Sequence, residues 1–229
     1  MAIILIGEIE ILAELETEKK NYTNALKYIR LLLENGITIS TIEKNETFTS
    51  LKSNDKWIEL KTESNTIYKK WYDRLNLDLR NEIIKMTAED QRVRTTKVTK
   101  EEFQRVDSLN ENRFKEIFKT YGYPNQNLIG NRSIDNKSAS PILFAFHFRD
   151  IEYFKPLFYD FVKNGESSAE LYASLIDSHD RKRGVFTYRI YSNLTDDQID
   201  DLSNLDKRRV SVGLRPWKMQ LEYEKLRGF

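Results

Sequence analysis

Apolar residues recur every three or four positions along most of this chain, which is the spacing of one face of an α-helix. A clear example follows Thr99, where the apolar positions before the stop at Gly122 are Phe103, Val106, Phe114, Ile117 and Phe118. The chain has only 8 Gly and 4 Pro, so the helical intervals are long. The pattern predicts a mainly α-helical protein.

Helix starts are indicated by three capping boxes, in which a Ser or Thr oxygen accepts the third backbone N–H and a Glu or Gln reaches back. They are Thr99 with Glu102, Ser167 with Glu170, and Thr195 with Gln198. Helix ends are predicted at Gly122 and Gly213, and Gly130 is expected to take a positive φ in a loop. The boundaries of the late helices follow from these signals.

One segment favours extended backbone. Val185–Tyr191 combines β-branched and aromatic residues directly after Gly184. A single short segment of this kind supports at most a small β-hairpin or edge strand.

The N-terminal third has a different pattern. Residues 9–35 resemble one tetratricopeptide-type helix pair, with small residues, Ala13 and Ala25, where the helices would approach closely. An ordinary helical hairpin is the alternative. Since one repeat cannot bury both of its faces, we expect it to pack on the aromatic-rich segment 57–77. We predict a tetratricopeptide-like helical region over residues 1–77 and a second helical domain over 78–229, packed together as one body.

Composition excludes several classes of protein. The chain has 37 basic and 36 acidic residues and a net charge of +1, so no global field favours nucleic acid or an anionic membrane. It has no Cys, which excludes disulfides and thiolate metal sites. Neither a secretory signal nor an apolar run of about 20 residues is present, so we expect a soluble, cytoplasmic protein. The oligomeric state stays open.

Several short motifs resemble a known family when they are taken together. They are the stretch Met86–Arg94, Asp107 with Asn112, Gly122-Tyr123-Pro124 with Gly130, His147, and Asp206–Arg209 with Gly213, Leu214 and Pro216. In order and spacing these motifs resemble the bacterial domain-of-unknown-function family 6624 over residues 82–217. The resemblance implies a helical fold and candidate site residues, but no reaction.

The chain departs from the family pattern at three polar positions. The family often has Gln where this chain has Phe146, an Asp-Arg pair where it has Asp177-Ser178, and a Gln-x-Tyr-Gly-Thr-like string near residues 187–191. These departures favour a binding protein, or an inactive relative of the family, over an enzyme.

His147 is the sharpest catalytic candidate, because it lies in the apolar segment 144–148. On a helix it would share a face with Asp150, and a carboxylate beside an imidazole suits a general base or a metal ligand. A core histidine bonded to backbone is the alternative. Asp177 and His179 would complete a mixed nitrogen and oxygen metal site if they met His147, although a solvated helix end is the simpler interpretation. We expect no metal and no cofactor.

Two polar clusters are candidate anion sites. One contains Asp90, Gln91 and Arg94, and the other contains Arg208 and Arg209; the resemblance adds Asn112. Arginine forks bind carboxylate or phosphate bidentately, whereas structural ion pairs are the alternative. The Gly-rich phosphate motifs and the Gly-x-Ser-x-Gly elbow are missing from the sequence.

Two functions follow from these features. The first is a helical protein- or peptide-binding module in which the N-terminal helices and aromatic residues present a groove; those residues are Trp57, Tyr68, Trp71 and Tyr72. The second is a small hydrolase or transferase with His147 as base, Asp150 or Asp177 orienting it, and Arg209 holding an anionic substrate. The sequence departures favour the binding module.

Overall fold

Helices form most of the chain in the computed structural model, which describes residues 6–139 and 141–227. The α-helices are α1 (Ile6–Glu18), α2 (Tyr22–Glu34), α3 (Ile39–Lys44), α4 (Asp55–Tyr72), α5 (Leu77–Thr95), α6 (Lys100–Tyr121), α7 (Gln126–Ile129), α8 (Ile142–Ala145), α9 (Ile151–Lys163), α10 (Ala169–Asp180), α11 (Leu205–Ser211) and α12 (Trp217–Arg227). Short 3-10 helices cover Glu46–Leu51, Arg181–Arg183, Asp196–Gln198 and Leu202–Asn204. The prediction of a mainly α-helical fold is confirmed. None of the described helices has the length and apolarity that crossing a bilayer requires.

Local signals placed most of the late helix boundaries. Thr99 caps α6 and its hydroxyl accepts from the Glu102 N–H at 3.1 Å, as predicted. The box at Thr195 is also present, but it begins only the 3-10 helix Asp196–Gln198. The prediction for Ser167 was wrong by one residue, because Ser168 has the extended backbone of an N-cap and accepts from the N–H of Leu171.

The described residues divide into two compact units that are not contiguous in sequence. The first unit contains residues 6–88 and 124–139, and the second unit contains 89–123 and 141–227. Helix α5 contributes residues to both. The predicted division into domains at residues 77 and 78 stays a prediction.

In the first unit α1 and α2 form a helical hairpin that packs on α4. Ala13 and Ala25 are fully buried, as close helix packing requires. Trp57 and Trp71 are also buried, and a Cβ at Gly36 would lie 2.3 Å from Trp71 Cζ2. The expected packing on the aromatic-rich segment is therefore confirmed, although two of the four aromatic residues expected in a groove lie in the core.

A buried arginine holds the returning segment 124–139 within the first unit. Arg80 donates from Nη1 to the Ile129 carbonyl at 3.0 Å, and from Nη2 to Asp135 at 2.6 Å and to the Lys137 carbonyl at 2.9 Å. The Arg80 guanidinium lowers the pKa of the Asp135 carboxyl. This arrangement satisfies loop carbonyls that no helix pairs.

The second unit is built around aromatic side chains from α6, α8 and α9. Phe114, Phe118 and Phe158 are buried, and Phe118 and Phe158 meet edge to face with ring centroids 5.5 Å apart. Phe148 stacks on Phe154 at 4.0 Å. This core fixes the segment 144–149, which carries His147.

The predicted extended segment Val185–Tyr191 forms no strand among the described residues. It makes one isolated parallel bridge, between Phe186 and Ile199. The N–H groups of Thr187, Tyr188 and Ile190 donate to a side chain, the Asp177 carboxylate. Because those donors are already used, they cannot form a ladder with a neighbouring strand.

Candidate functional site

Three predicted polar residues meet in one cluster of the second unit. Arg94 Nη1 lies 2.9 Å from Asp90 Oδ1, one turn earlier on α5, and Arg94 Nη2 donates to Asp107 Oδ1 on α6 at 2.8 Å. Arg94 Nε donates to His147 Nε2 at 3.1 Å. The Arg94 guanidinium also lies over the Phe103 ring, 4.9 Å from its centroid. Every nitrogen of this guanidinium therefore has a protein partner.

The contact with Arg94 selects the tautomer of a neutral His147 ring. Since Nε2 accepts a hydrogen bond, a neutral His147 ring carries its proton on Nδ1, which lies 3.5 Å from Asp90 Oδ1. Asp90 is 1% exposed and also accepts from Gln91 Nε2 at 2.9 Å. His147 is thus a partly exposed histidine held by side chains, and its basic lone pair is already occupied.

A cavity of about 240 Å³ lies beside this cluster, entirely within the second unit. Its lining residues are Arg94, Phe103, Asp107, Phe146, His147, Phe148, Arg149, Ser178, His179 and Lys182. A second gap, bordered by Asp90, Asn110 and His147, has no room for a water molecule. The larger cavity is therefore the candidate site.

Two cations at the cavity are more accessible than Arg94. The Arg149 side chain is 52% exposed, and its Nη2 is 3.9 Å from Asp107 Oδ2. Lys182 is exposed and follows α10 in the 3-10 helix Arg181–Arg183. The cavity thus has three cationic side chains and one carboxylate, an arrangement that favours an anion.

His179, near the end of α10, supplies a second imidazole to the cavity. Its ring hydrogen-bonds the Phe148 backbone, whereas Nε2 is buried and has no hydrogen-bond partner among the described residues. The bond to Phe148 is therefore made by Nδ1, and a neutral ring keeps its lone pair on Nε2. Burial lowers the pKa of His179 below its ordinary value of 6.5, and the charge of Lys182 lowers it further. This histidine has the free acceptor that His147 lacks.

Three of the predicted site residues have other contacts. Asp150 does not share a helix face with His147, because α8 ends at Ala145 and Asp150 caps α9. Its carboxylate accepts from Lys115 Nζ at 2.7 Å, which lowers the pKa of Asp150. Asn112 is exposed on α6, and Gln91 contacts Asp90 rather than the cavity. None of the three lines the cavity.

Asp177, Arg208 and Arg209 hydrogen-bond the backbone of the loop at residues 187–190. Asp177 is fully buried and accepts three backbone N–H groups between residues 187 and 190; burial raises its pKa, and these bonds oppose the rise. Arg209 is also buried and donates to the carbonyls of Tyr188 at 2.6 Å and Arg215 at 2.7 Å. Arg208 donates to the Thr187 carbonyl at 3.1 Å. These residues are not among those that line the cavity.

Sequence reasoning missed Arg149 and Lys182 and assigned His179 to a solvated helix end. The signal for Arg149 was its position two residues after His147. Nothing in the sequence indicates that the end of α10, with His179, lies beside the same cavity. Within the described part of the chain, no group of three or more His, Asp or Glu side chains is arranged to hold a metal ion.

Comparison with known proteins adds no further assignment. No family model, curated protein or solved structure matches the chain.

Proposed function

We propose that the second unit binds a small anionic ligand in the cavity between His147 and His179. The observation that carries this proposal is the excess of cationic side chains around a half-open cavity that two histidines also line. Arg94 is neutralised by Asp90 and Asp107, so Arg149 and Lys182 supply the charge for the ligand. The predicted role of arginine as an anion clamp therefore moves from Arg209 to Arg149.

The same cavity supports the hydrolase or transferase alternative in an altered form. Asp150 and Asp177 do not orient His147; the carboxylate beside it is Asp90. A general base needs a free lone pair. Nε2 of His179 is buried but has no hydrogen-bond partner among the described residues, whereas Nε2 of His147 accepts from Arg94. If a reaction occurs here, we propose that His179 takes the proton and that Arg94 fixes His147 in place.

Isothermal titration calorimetry with inorganic phosphate and with succinate, at low ionic strength, tests the binding proposal. Lys182→Met and Arg149→Met should each weaken anion binding about tenfold, since a charge-assisted hydrogen bond is lost. Lys119→Met is the matched control, because Lys119 is exposed on α6 and is not among the lining residues. The proposal is wrong if no anion binds, or if the control weakens binding as much as the two cavity variants.

We also propose that the chain belongs to the family 6624 that its motifs resemble. The support is that residues from three separate motifs, Arg94, Asp107 and His147, converge on one cluster. Structures of other chains with these motifs would test the proposal by showing whether the same three residues meet.

Peptide binding through the N-terminal helices is a second candidate function. Ile11 and Leu15, one turn apart on α1, are 41% and 44% exposed and form an apolar stripe. We propose that an amphipathic peptide helix packs there. Selection from a displayed peptide library, followed by measured affinity for the Ile11→Glu variant, tests the idea; peptides that bind the variant equally well would contradict it.

A further inference from the structure

Two phenylalanines of the second unit lie outside its aromatic core. The others contact a neighbouring ring, as Phe114 does with Phe144 at a centroid distance of 4.8 Å. Phe103 and Phe146 pack on no aromatic ring in the described part of the chain. Both are partly exposed, and both line the cavity beside Arg94 and its partners. The cavity therefore has aromatic ring surface without an aromatic partner as well as cations.

The charges at the cavity favour a ligand with a single negative charge. Arg94, Arg149 and Lys182 line it, as does the carboxylate of Asp107. Asp90 lies behind this wall, with its Oδ1 2.9 Å from Arg94 Nη1. Three cations against two carboxylates leave one positive charge, on the exposed side chains of Arg149 and Lys182. A carboxylate carries one negative charge at neutral pH, whereas a phosphate monoester carries about 1.5 to 2.

We infer that the ligand is a small aromatic monocarboxylic acid, whose carboxylate contacts Arg149 and Lys182 and whose ring packs on Phe103 and Phe146. The inference rests on the proposed anion site and specifies the class of its ligand. The planar guanidinium of an arginine matches the two oxygens of a carboxylate. The ligand thus combines the two features that the cavity presents side by side.

The aromatic ring is required because an anion alone uses only part of the cavity. A bare carboxylate satisfies the cations but leaves the surfaces of Phe103 and Phe146 in water. A ring that covers even about 60 Å² of apolar surface strengthens binding about tenfold. Contacts between aromatic rings add to this effect when the rings meet offset or edge to face.

The size of the cavity limits the acid to about one ring. Its volume of about 240 Å³ lies below the roughly 300–1,000 Å³ of most ligand pockets. A benzoate-sized molecule suits such a space. A ligand with several rings, or a nucleotide, would extend from the cavity into solvent.

The test compares four probes at pH 8, each titrated into the full chain while nuclear magnetic resonance follows the backbone amides. Benzoate has a ring and one charge, acetate has only the charge, benzyl alcohol has only the ring, and phenyl phosphate has a ring and close to two charges. We expect benzoate to bind at least about tenfold more tightly than acetate or benzyl alcohol. Phenyl phosphate should bind no more tightly than benzoate. The amides that shift should include those of residues 146–149 and 178–182.

Substitutions at the two phenylalanines assign the ring contact. Phe103→Ala and Phe146→Ala should each weaken benzoate at least about fivefold and leave acetate unchanged, because only the apolar contact is lost. Phe146→Leu keeps apolar bulk and should retain most of the benzoate affinity. Tyr121→Ala is the matched control, since Tyr121 is an exposed aromatic residue of α6 that is not among the lining residues. It should leave all four affinities unchanged.

The outcomes separate this inference from the proposed function. Equal affinity for benzoate and acetate would overturn the inference and leave the anion site standing. Benzyl alcohol that binds as tightly as benzoate would overturn the anion site itself, as would the absence of binding by all four probes. Tighter binding of phenyl phosphate would overturn the choice of a carboxylate. If the alanine variants do not fold, the four affinities of the unaltered chain and the positions of the shifted amides decide.

Discussion

The neutral rings of the two histidines of the second unit both carry the lone pair on Nε2, but only that of His147 has a hydrogen-bond partner among the described residues. Arg94 donates to Nε2 of His147, so the lone pair of that nitrogen is already used in a hydrogen bond. His179 keeps Nε2 without a partner, but its ring is buried. The residue with the unpartnered lone pair is therefore also the one whose burial opposes its becoming charged.

We predict that His179 titrates below its ordinary pKa of 6.5, because burial disfavours the imidazolium. The folded protein then binds fewer protons than the unfolded chain, so this residue's contribution to stability is present above pH 6.5 and is lost as pH falls through the folded pKa. Nuclear magnetic resonance titration of the ring carbons measures the midpoint directly. His179→Asn should lose less stability than the unaltered chain as pH falls from neutral. A midpoint at or above 6.5 would contradict the prediction.

At this scale the sequence identified His147 but not its partners. His147 stands out in the sequence because phenylalanines flank it, whereas its partner Arg94 lies 53 positions away. Asp150 was expected beside His147 because helical spacing was assumed, and the chain instead leaves the helix at Phe146. Three-dimensional contacts between α5, α6 and the segment 144–149 determine the cluster, and no short-range pattern encodes them.

The segment Val185–Tyr191 shows how side chains can replace a sheet as the partner of extended backbone. Its β-branched and aromatic residues favour a strand. In the structure, however, three of its N–H groups donate to Asp177, and its Tyr188 carbonyl accepts from Arg209. The residue types of this segment do not specify its hydrogen-bond partners, because those partners, Asp177 and Arg209, lie on α10 and α11.

Asp177→Asn tests the donor side of this arrangement. The amide keeps one accepting oxygen but places an NH₂ group against the N–H of Ile190, which leaves a buried donor unpaired. We expect a loss of about 1–3 kcal/mol in the free energy of unfolding, partly offset because a buried carboxylate is removed. Chemical denaturation measures it, with the exposed Asp197→Asn as control. Equal stability of the two variants would show that the bonds to Asp177 contribute nothing net.

Arg209→Met tests the acceptor side. The substitution removes the donors to the Tyr188 and Arg215 carbonyls and the cation that lies 5.3 Å from the centroid of the Trp217 ring. We expect a loss of about 2–4 kcal/mol, since two buried carbonyls lose charged donors. Lys207→Met, exposed on the same helix, should change stability by less than about 0.5 kcal/mol. If Arg209→Met also abolished anion binding without loss of stability, the original assignment of Arg209 as an anion clamp would be restored.

At the scale of the whole molecule, helix content was predictable because helical periodicity and capping are local. The division into units was not, because segment 124–139 belongs with residues 6–88 through contacts such as those of Arg80. A linear division of the sequence cannot represent a unit that the chain leaves and re-enters. The candidate cavity likewise uses residues from both stretches of the second unit, which are separated by that excursion.

Each unit has its own apolar core and its own tryptophan signal, and this leads to a prediction about unfolding. Trp57 and Trp71 are buried in the first unit, whereas Trp217 packs on a small cluster of the second unit. Phe158→Ala should lower the free energy of unfolding reported by Trp217 by about 3–5 kcal/mol, because it opens a cavity in the aromatic core.

The measurement uses two fluorescence variants, one that keeps only Trp217 and one that replaces it by Phe, so that each unit is followed by itself. Ile29→Ala, at a fully buried position on α2, is the matched substitution in the first unit and should lower the stability reported by Trp57 and Trp71 by about 2–5 kcal/mol. If each substitution shifts mainly its own unit's transition, the two cores unfold as separate cooperative units, as their compactness leads us to expect. If either substitution shifts both transitions equally, the chain unfolds as one cooperative body, and a core substitution in either unit would then lower the population of folded cavity available to a ligand.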